Sequence, residues 1–290
     1  MHRVRSAKLE IFLTAVLFST GGIAIKLTDL SALSVSSLRG GIATVALWLV
    51  LRPGLRDFTR RSVAVGLAQG ATMVAFVAAT KLTTAAAAIF IQDTAPVYVA
   101  LLGPLLLGEK LEKRDVLCLV AFLAGLAALF LGVREPLETA PDPLTGNLFS
   151  IVASVCWAFT IVGFRWLARF GQGDGSTAAA AVSGNAMACL FTSPWLSIEG
   201  AGIGDGIVVA WLGLFQVAAA YAVFTRAVPF VPALTAALLL LTEPVLSAVW
   251  AWLFLGEALG PLALIGSATI LAASVAQARS ASPGSPATSS

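Results

Sequence analysis

The sequence predicts an all-α polytopic membrane protein, with ten transmembrane helices arranged as two inverted five-helix repeats. Three observations lead there. Of 290 residues, 58% are hydrophobic and only 11% charged, with a mean hydropathy of +0.92; a soluble domain carries about 25% charged residues, because water must wet its surface. The charges stand in short clusters between apolar runs of about 18–25 residues, the length at which a helix crosses the hydrocarbon core. Finally, one stretch returns 148 residues later: Pro96-Val-Tyr-Val-Ala-Leu-Leu-Gly-Pro-Leu-Leu-Leu-Gly-Glu-Lys-Leu111 recurs as Pro244-Val-Leu-Ser-Ala-Val-Trp-Ala-Trp-Leu-Phe-Leu-Gly-Glu-Ala-Leu259. Eight of the sixteen aligned positions are identical, where apolar composition alone gives roughly two.

The apolar runs place spans at roughly 9–26, 34–51, 62–80, 84–107, 115–132, 147–167, 177–197, 207–226, 231–255 and 260–278. They are continuous, not alternating, which argues against a membrane-spanning β-barrel. Arg3, Arg5 and Lys8 precede the first run, but no clear Ala-x-Ala site follows, so it reads as a retained span. The longest connection, from Val133 to Asn147, carries Pro136, Pro141, Pro143 and Gly146 and marks a joint between halves. The expected division is therefore a first repeat over 1–132, a loop over 133–146, a second repeat over 147–278, and a low-complexity, disordered tail over 279–290.

Lysine and arginine set the orientation. With the N-terminus inside, fourteen basic residues fall on the inner side, and Lys26, Lys81 and Arg134 alone on the outer, with Arg39 left inside a span. That bias puts both termini in the cytoplasm of a cell whose inner membrane holds the protein. The net charge of +3 sits at membrane-proximal loops, which argues against nucleic acid as a partner. Five spans per half is an odd number, so equivalent segments enter from opposite sides. Gly108-Glu109 ends at the inner surface and Gly256-Glu257 at the outer. Such inverted repeats supply two related conformations around a midplane site, the architecture of a secondary transporter.

The paired signatures closing spans four and nine, Pro-Val…Leu-Leu-Gly-Glu-x-Leu and Thr-Glu-Pro-Val…Leu-Gly-Glu-x-Leu, resemble those of the drug/metabolite transporter superfamily. Within it, the chain is most similar to exporters with two EamA repeats, over about residues 9–278. The resemblance implies export of small metabolites such as amino acids, coupled to protons, through a central cavity.

Ionisable groups at membrane depth are expensive and mark function unless they are paired. Arg39, Asp93 and Glu243 are the three. Arg39 and Asp93 differ in depth by about 5 Å at 1.5 Å per residue, which suggests a gating ion pair; the alternative is that Arg39 snorkels alone to the headgroups. Glu243 lies near midplane and, with Asp93, is the candidate for proton coupling, since a carboxyl is held neutral when buried and ionises when wetted. Its alternative role is a hydrogen bond to a neighbouring helix beside Pro244. Ser247 and Trp250 share the Glu243 face by i, i+4, i+7 spacing and would line a cavity with it. Gln69 and Gln216 are repeat equivalents and, with Gln92, suit an ammonium or carboxylate ligand, or else interhelical packing. Trp157 and Tyr221 offer faces for a substrate or for packing. Trp48, Trp195 and Trp211 read as the interfacial belt.

A membrane enzyme is not expected: the sequence has no paired histidines, no HExxH and no GxSxG. Cys118, Cys156 and Cys189 lie inside spans, and the lone histidine is His2, so neither disulfide, metal nor cofactor is anticipated. An uncoupled facilitator or exchanger, and a lipid-headgroup flippase, are the other activities the same architecture admits. One chain holds both halves, so a monomer suffices and a homodimer is compatible.

Overall fold

Membrane passes in the computed structural model, which describes residues 2–132, 140–171, 175–255 and 260–279, are helical, and several are broken near their middle. The first consists of α1 (His2–Phe18) and α2 (Gly21–Lys26). α3 (Ala32–Leu51) and α4 (Arg60–Leu82) are continuous. The fourth pass divides into α5 (Ala85–Gln92), α6 (Ala95–Leu102) and a π-helical turn, Gly103–Leu107. α7 (Lys113–Gly132) closes the first half. The second half runs through α8 (Pro143–Phe170), α9 (Ser176–Thr192), then α10 (Ile203–Trp211), a π-helical stretch (Leu212–Ala219) and α11 (Ala220–Ala227), which form one pass. The ninth pass is α12 (Ala233–Leu240) and α13 (Glu243–Leu255), and the last is α14 (Pro261–Arg279). Among the described residues nine passes reach 18 residues or more with bilayer-crossing hydropathy. The tenth is α9, 17 residues extended by a 3-10 turn at Ser193–Trp195.

The ends follow from local chemistry. Ser31, Thr59, Thr84 and Asp142 accept from the backbone N–H three residues on, capping α3, α4, α5 and α8. The Asp142 cap, followed by Pro143, starts α8 four residues before the expected boundary at 147. Gly108, at φ 65°, ends the fourth pass in the left-handed region that glycine enters without strain. Of the expected tail over 279–290, Arg279 ends α14 as helix; residues 280–290, the stretch 133–139 and the signature residues Gly256-Glu257 lie outside the described residues.

The halves interlock. The heaviest packing joins α4 to α8 and α9, α3 to α9, α1 to α11, and α7 to α14, each pair uniting one half with the other. Small residues make the closest approaches possible. A Cβ on Gly66 would lie 2.9 Å from the Ala180 carbonyl, and one on Gly70 2.7 Å from that of Gly184, so α4 and α9 touch backbone to backbone. Gly125, Gly132 and Gly266 play the same part between α7 and α14.

Two polar faces cap this bundle. On the face where α1 begins, Arg3 donates to the Arg226 carbonyl, Lys8 to that of Ala278 and Arg114 to that of Ala276. The end of the fourth pass, Glu109, lies here too, against Arg165 at the end of α8. On the opposite face, Lys26 donates to the Thr83 carbonyl, Lys81 to that of Thr28, and the Asp142 N–H to that of Leu82. Gly260, which opens the last pass, approaches Gly132 on that same face. The fourth and ninth passes therefore end on opposite faces, and the repeats are inverted.

Candidate substrate site

The fourth and ninth passes break at equivalent places. Asp93-Thr94 separates α5 from α6, and Leu241-Thr242 separates α12 from α13, 148 residues on. The prolines explain the position: neither Pro96 nor Pro244 has an N–H to continue a helix from the preceding turn. Each break leaves a carboxylate at the middle of the bundle. Asp93 ends α5 and is buried, and its Oδ2 has no hydrogen-bond partner. Glu243 begins α13, also buried, within electrostatic range of Asp93 and of Tyr221.

Other polar groups converge there. Gln69 on α4 is 0% exposed, yet both its amide atoms lack a partner. It sits beside the Tyr221 hydroxyl, but the two do not meet hydrogen-bond geometry. Gln92 Oε1 and Tyr221 Oη are buried and unpartnered as well. A buried amide or hydroxyl without a partner costs about 1–3 kcal/mol, a cost that a bound solute or water would relieve.

Arg39 stands at the edge of this group, and it departs from the expected arrangement. It makes no ion pair with Asp93, and at 1% exposure it does not snorkel. Its Nη2 donates to the Met73 carbonyl at 2.8 Å and its Nη1 to Gln216 Oε1 at 3.4 Å. Matched depth was the sequence argument, but α3 packs on α4, α9 and the π-helical stretch, and has no substantial contact with α5. Gln216 thus serves Arg39, whereas its repeat equivalent Gln69 serves no one. The π-helical stretch turns Gln216 inward against Gly21, where a Cβ would lie 2.8 Å from Nε2.

Ser247 and Trp250 share the expected face, but they hold the break in the first pass. Ser247 Oγ donates to the Ser19 carbonyl at 3.1 Å and Trp250 Nε1 to Ser19 Oγ at 2.9 Å. Trp157 and Tyr221 join Phe18, Phe164 and Phe224 in one aromatic cluster. Its ring centroids lie 5.5 Å apart for Phe18–Tyr221 and 5.7 Å for Phe164–Phe224. Both rings pack against neighbours, and the buried Tyr221 hydroxyl has no hydrogen-bond partner. Trp48, Trp195 and Trp211 are exposed. Trp211 Nε1 donates to Thr20 Oγ1 at 3.1 Å, at the break in the first pass and so deeper than an interfacial belt.

Beyond the aromatics, towards the face where α1 begins, lies a feature not anticipated. Glu109 Oε1 accepts from Arg165 Nε at 2.9 Å and lies 3.7 Å from Arg169 Nη1. Its Oε2 accepts from the Ala233 N–H at 2.8 Å, the first residue of α12. Arg165 also donates to the Val228 and Pro229 carbonyls. The duplicated glutamate of the first signature therefore ties the fourth pass to the sixth, eighth and ninth. Two further twins lie in the turns: Gly54-x-x-Asp57 and Gly202-x-x-Asp205, again 148 apart. In each, the aspartate Oδ2 accepts from the glycine N–H at 2.8 Å. Asp205 Oδ1 also accepts from Thr28 Oγ1 at 2.6 Å, across the halves. Their shared offset is the signal that would have found them.

Ten interlocked passes among the described residues, in inverted halves with unpartnered polar groups at symmetric helix breaks, have the form of a membrane transport protein. Comparison with known proteins narrows this. The chain belongs to the EamA-like transporter family, which it matches over residues 6–131 and 144–276, within the drug/metabolite transporter superfamily. It is 28% identical over 273 residues to an "uncharacterized transporter" of Archaeoglobus fulgidus, spanning 93% of this chain and 95% of that one. An uncharacterized protein of Pseudomonas aeruginosa is 31% identical over 189 residues, 60% of each chain. A solved crystal structure superposes with a TM-score of 0.74 at 21% identity, covering 93% of this chain and 95% of the other, a likeness of fold.

Proposed function

We propose that this protein exports small polar or amphipathic metabolites, amino acids or related compounds, by alternating access coupled to proton antiport. The observation that supports the reading is the group of buried, unpartnered atoms at the two helix breaks: Gln69 Oε1 and Nε2, Gln92 Oε1, Asp93 Oδ2 and Tyr221 Oη. A solute bearing both donors and acceptors satisfies them. Asp93 and Glu243 are the carboxyls through which a proton leaves when the solute enters, because a carboxyl buried without a cation favours its neutral form. The face where α1 begins is assigned to the cytoplasm of a cell membrane, since basic residues crowd it and the opposite face holds few. Its closure by the Glu109 latch and the aromatic cluster fits a state shut towards that side. One chain is sufficient for this cycle, and a homodimer is compatible with it.

The test is flux of a labelled amino-acid and amine panel in proteoliposomes, with and without a pH gradient. A gradient-driven uptake against the concentration gradient is expected for at least one solute. Glu243→Gln is expected to abolish that drive while leaving solute exchange. Flux indifferent to the pH gradient in the unaltered protein would make this a facilitator, and scrambling of labelled phospholipid with no solute flux would make it a flippase.

A further inference from the structure

A lipid-facing groove lies between α4, the end of the fourth pass and α8, away from the helix breaks. It has a volume of about 300 Å³ and an apolar lining: Ala64, Val65 and Ala68 on one wall, Phe159, Val162, Gly163 and Trp166 on the other, and Leu106 at the back. Such a recess within the bilayer suits hydrocarbon, not a polar solute. Its two walls end alike. Arg61 precedes Ala64, Val65 and Ala68 by three, four and seven residues and so continues their stripe along α4. Its guanidinium lies over the Trp166 ring, 5.2 Å from the centroid. Arg169 follows Trp166 by three residues on α8, exposed, and donates to the carbonyl of Leu107, next to the groove's rear wall. It also lies 3.7 Å from Glu109 and over the Phe170 ring at 5.2 Å, and its side chain, 35% exposed, stays open to a further anion. An apolar slot that runs about 6–10 Å along its walls takes a stretch of acyl chain, and the two arginines at its end on the more basic face stand where an anionic headgroup would lie.

We propose that this groove is a binding site for one anionic phospholipid, its acyl chain between α4 and α8 and its phosphate between Arg61 and Arg169. Phosphatidylglycerol therefore binds this site in preference to phosphatidylcholine. The assignment is independent of what the central site carries. Each arginine near an anionic headgroup contributes about fivefold in affinity.

Delipidated full-length protein is titrated with phosphatidylglycerol or phosphatidylcholine, and bound lipid is counted by native mass spectrometry. One phosphatidylglycerol is expected to be retained at least about fivefold more tightly than phosphatidylcholine. Arg61→Gln should reduce that preference by about fivefold. Ala68→Phe, which fills the slot and leaves both arginines, should remove the retained lipid whatever its headgroup. Equal retention of the two lipids overturns the proposal, as does a preference that survives both variants in protein shown by size exclusion to be intact. Retention of phosphatidylcholine lost on Ala68→Phe alone would identify a neutral-lipid slot and equally overturn it.

Discussion

Gln69 and Gln216 occupy the same place in the two repeats and have opposite situations. Gln216 accepts from the Arg39 guanidinium, while Gln69, fully buried, has no partner for either amide atom. Duplication delivered both side chains to the middle of the bundle; what surrounds them then gave one a protein partner and left the other without one. Arg39 is the asymmetric element, because the second repeat supplies no arginine at the corresponding depth. A twofold scaffold can thus hold a site that is not itself twofold.

The sharpest way to break that contrast is Gln69→Leu. If Gln69 awaits a solute, the variant loses transport by about tenfold or more, the factor that a single lost hydrogen bond of about 1.4 kcal/mol gives, yet melts no earlier than the unaltered protein. A lower melting temperature in detergent with unchanged flux would assign Gln69 to packing instead. Gln216→Leu should do the reverse in stability, costing about 1–3 kcal/mol because Arg39 loses an acceptor while remaining buried.

Next comes the pair of faces. Glu109→Gln weakens charge-assisted bonds worth about 1.5–3 kcal/mol on the face where α1 begins. With Cys118, Cys156 and Cys189 replaced, a reporter cysteine at Phe224 should then label faster from that side. Unchanged labelling would mean that the Glu109 contacts do not hold this face shut. Least of all is Asp142→Ala. The Thr145 hydroxyl and N–H hold the Asp142 carboxyl below the usual carboxylate range, so its capping contributes above that range and fades as pH falls through it. Thermal melts of the variant and the unaltered protein should differ slightly at neutral pH and coincide in acid; a difference that grew in acid would contradict the cap.

Much of this was legible in the sequence because the bilayer is a severe solvent. Span length follows from hydrocarbon thickness and backbone satisfaction, and it set the passes to within a few residues; the duplicated signature exposed the repeat. Pro96 and Pro244 marked the two midplane breaks. The break at Ser19-Thr20 has no proline; its mark is the Gly21-Gly22 pair that follows, while Ser19 Oγ donates to the Val16 carbonyl and Thr20 Oγ1 to that of Leu17, as such residues also do in straight helices. Depth along a helix says nothing of azimuth, which is why Arg39 found Met73 and Gln216 and not Asp93. Glu109 was conspicuous in the signature, but its partner stands 56 residues away on another pass, and local spacing contains no trace of it.

The pairing of α7 with α14 carries one more consequence. These helices are each other's repeat equivalents, so the pseudo-twofold axis runs between them, as it does between α3 and α9. A lever travels least at its fulcrum. Glycine-tight contact at Gly125, Gly132 and Gly266 therefore grips the bundle where the rocking proposed above would ask for almost no displacement.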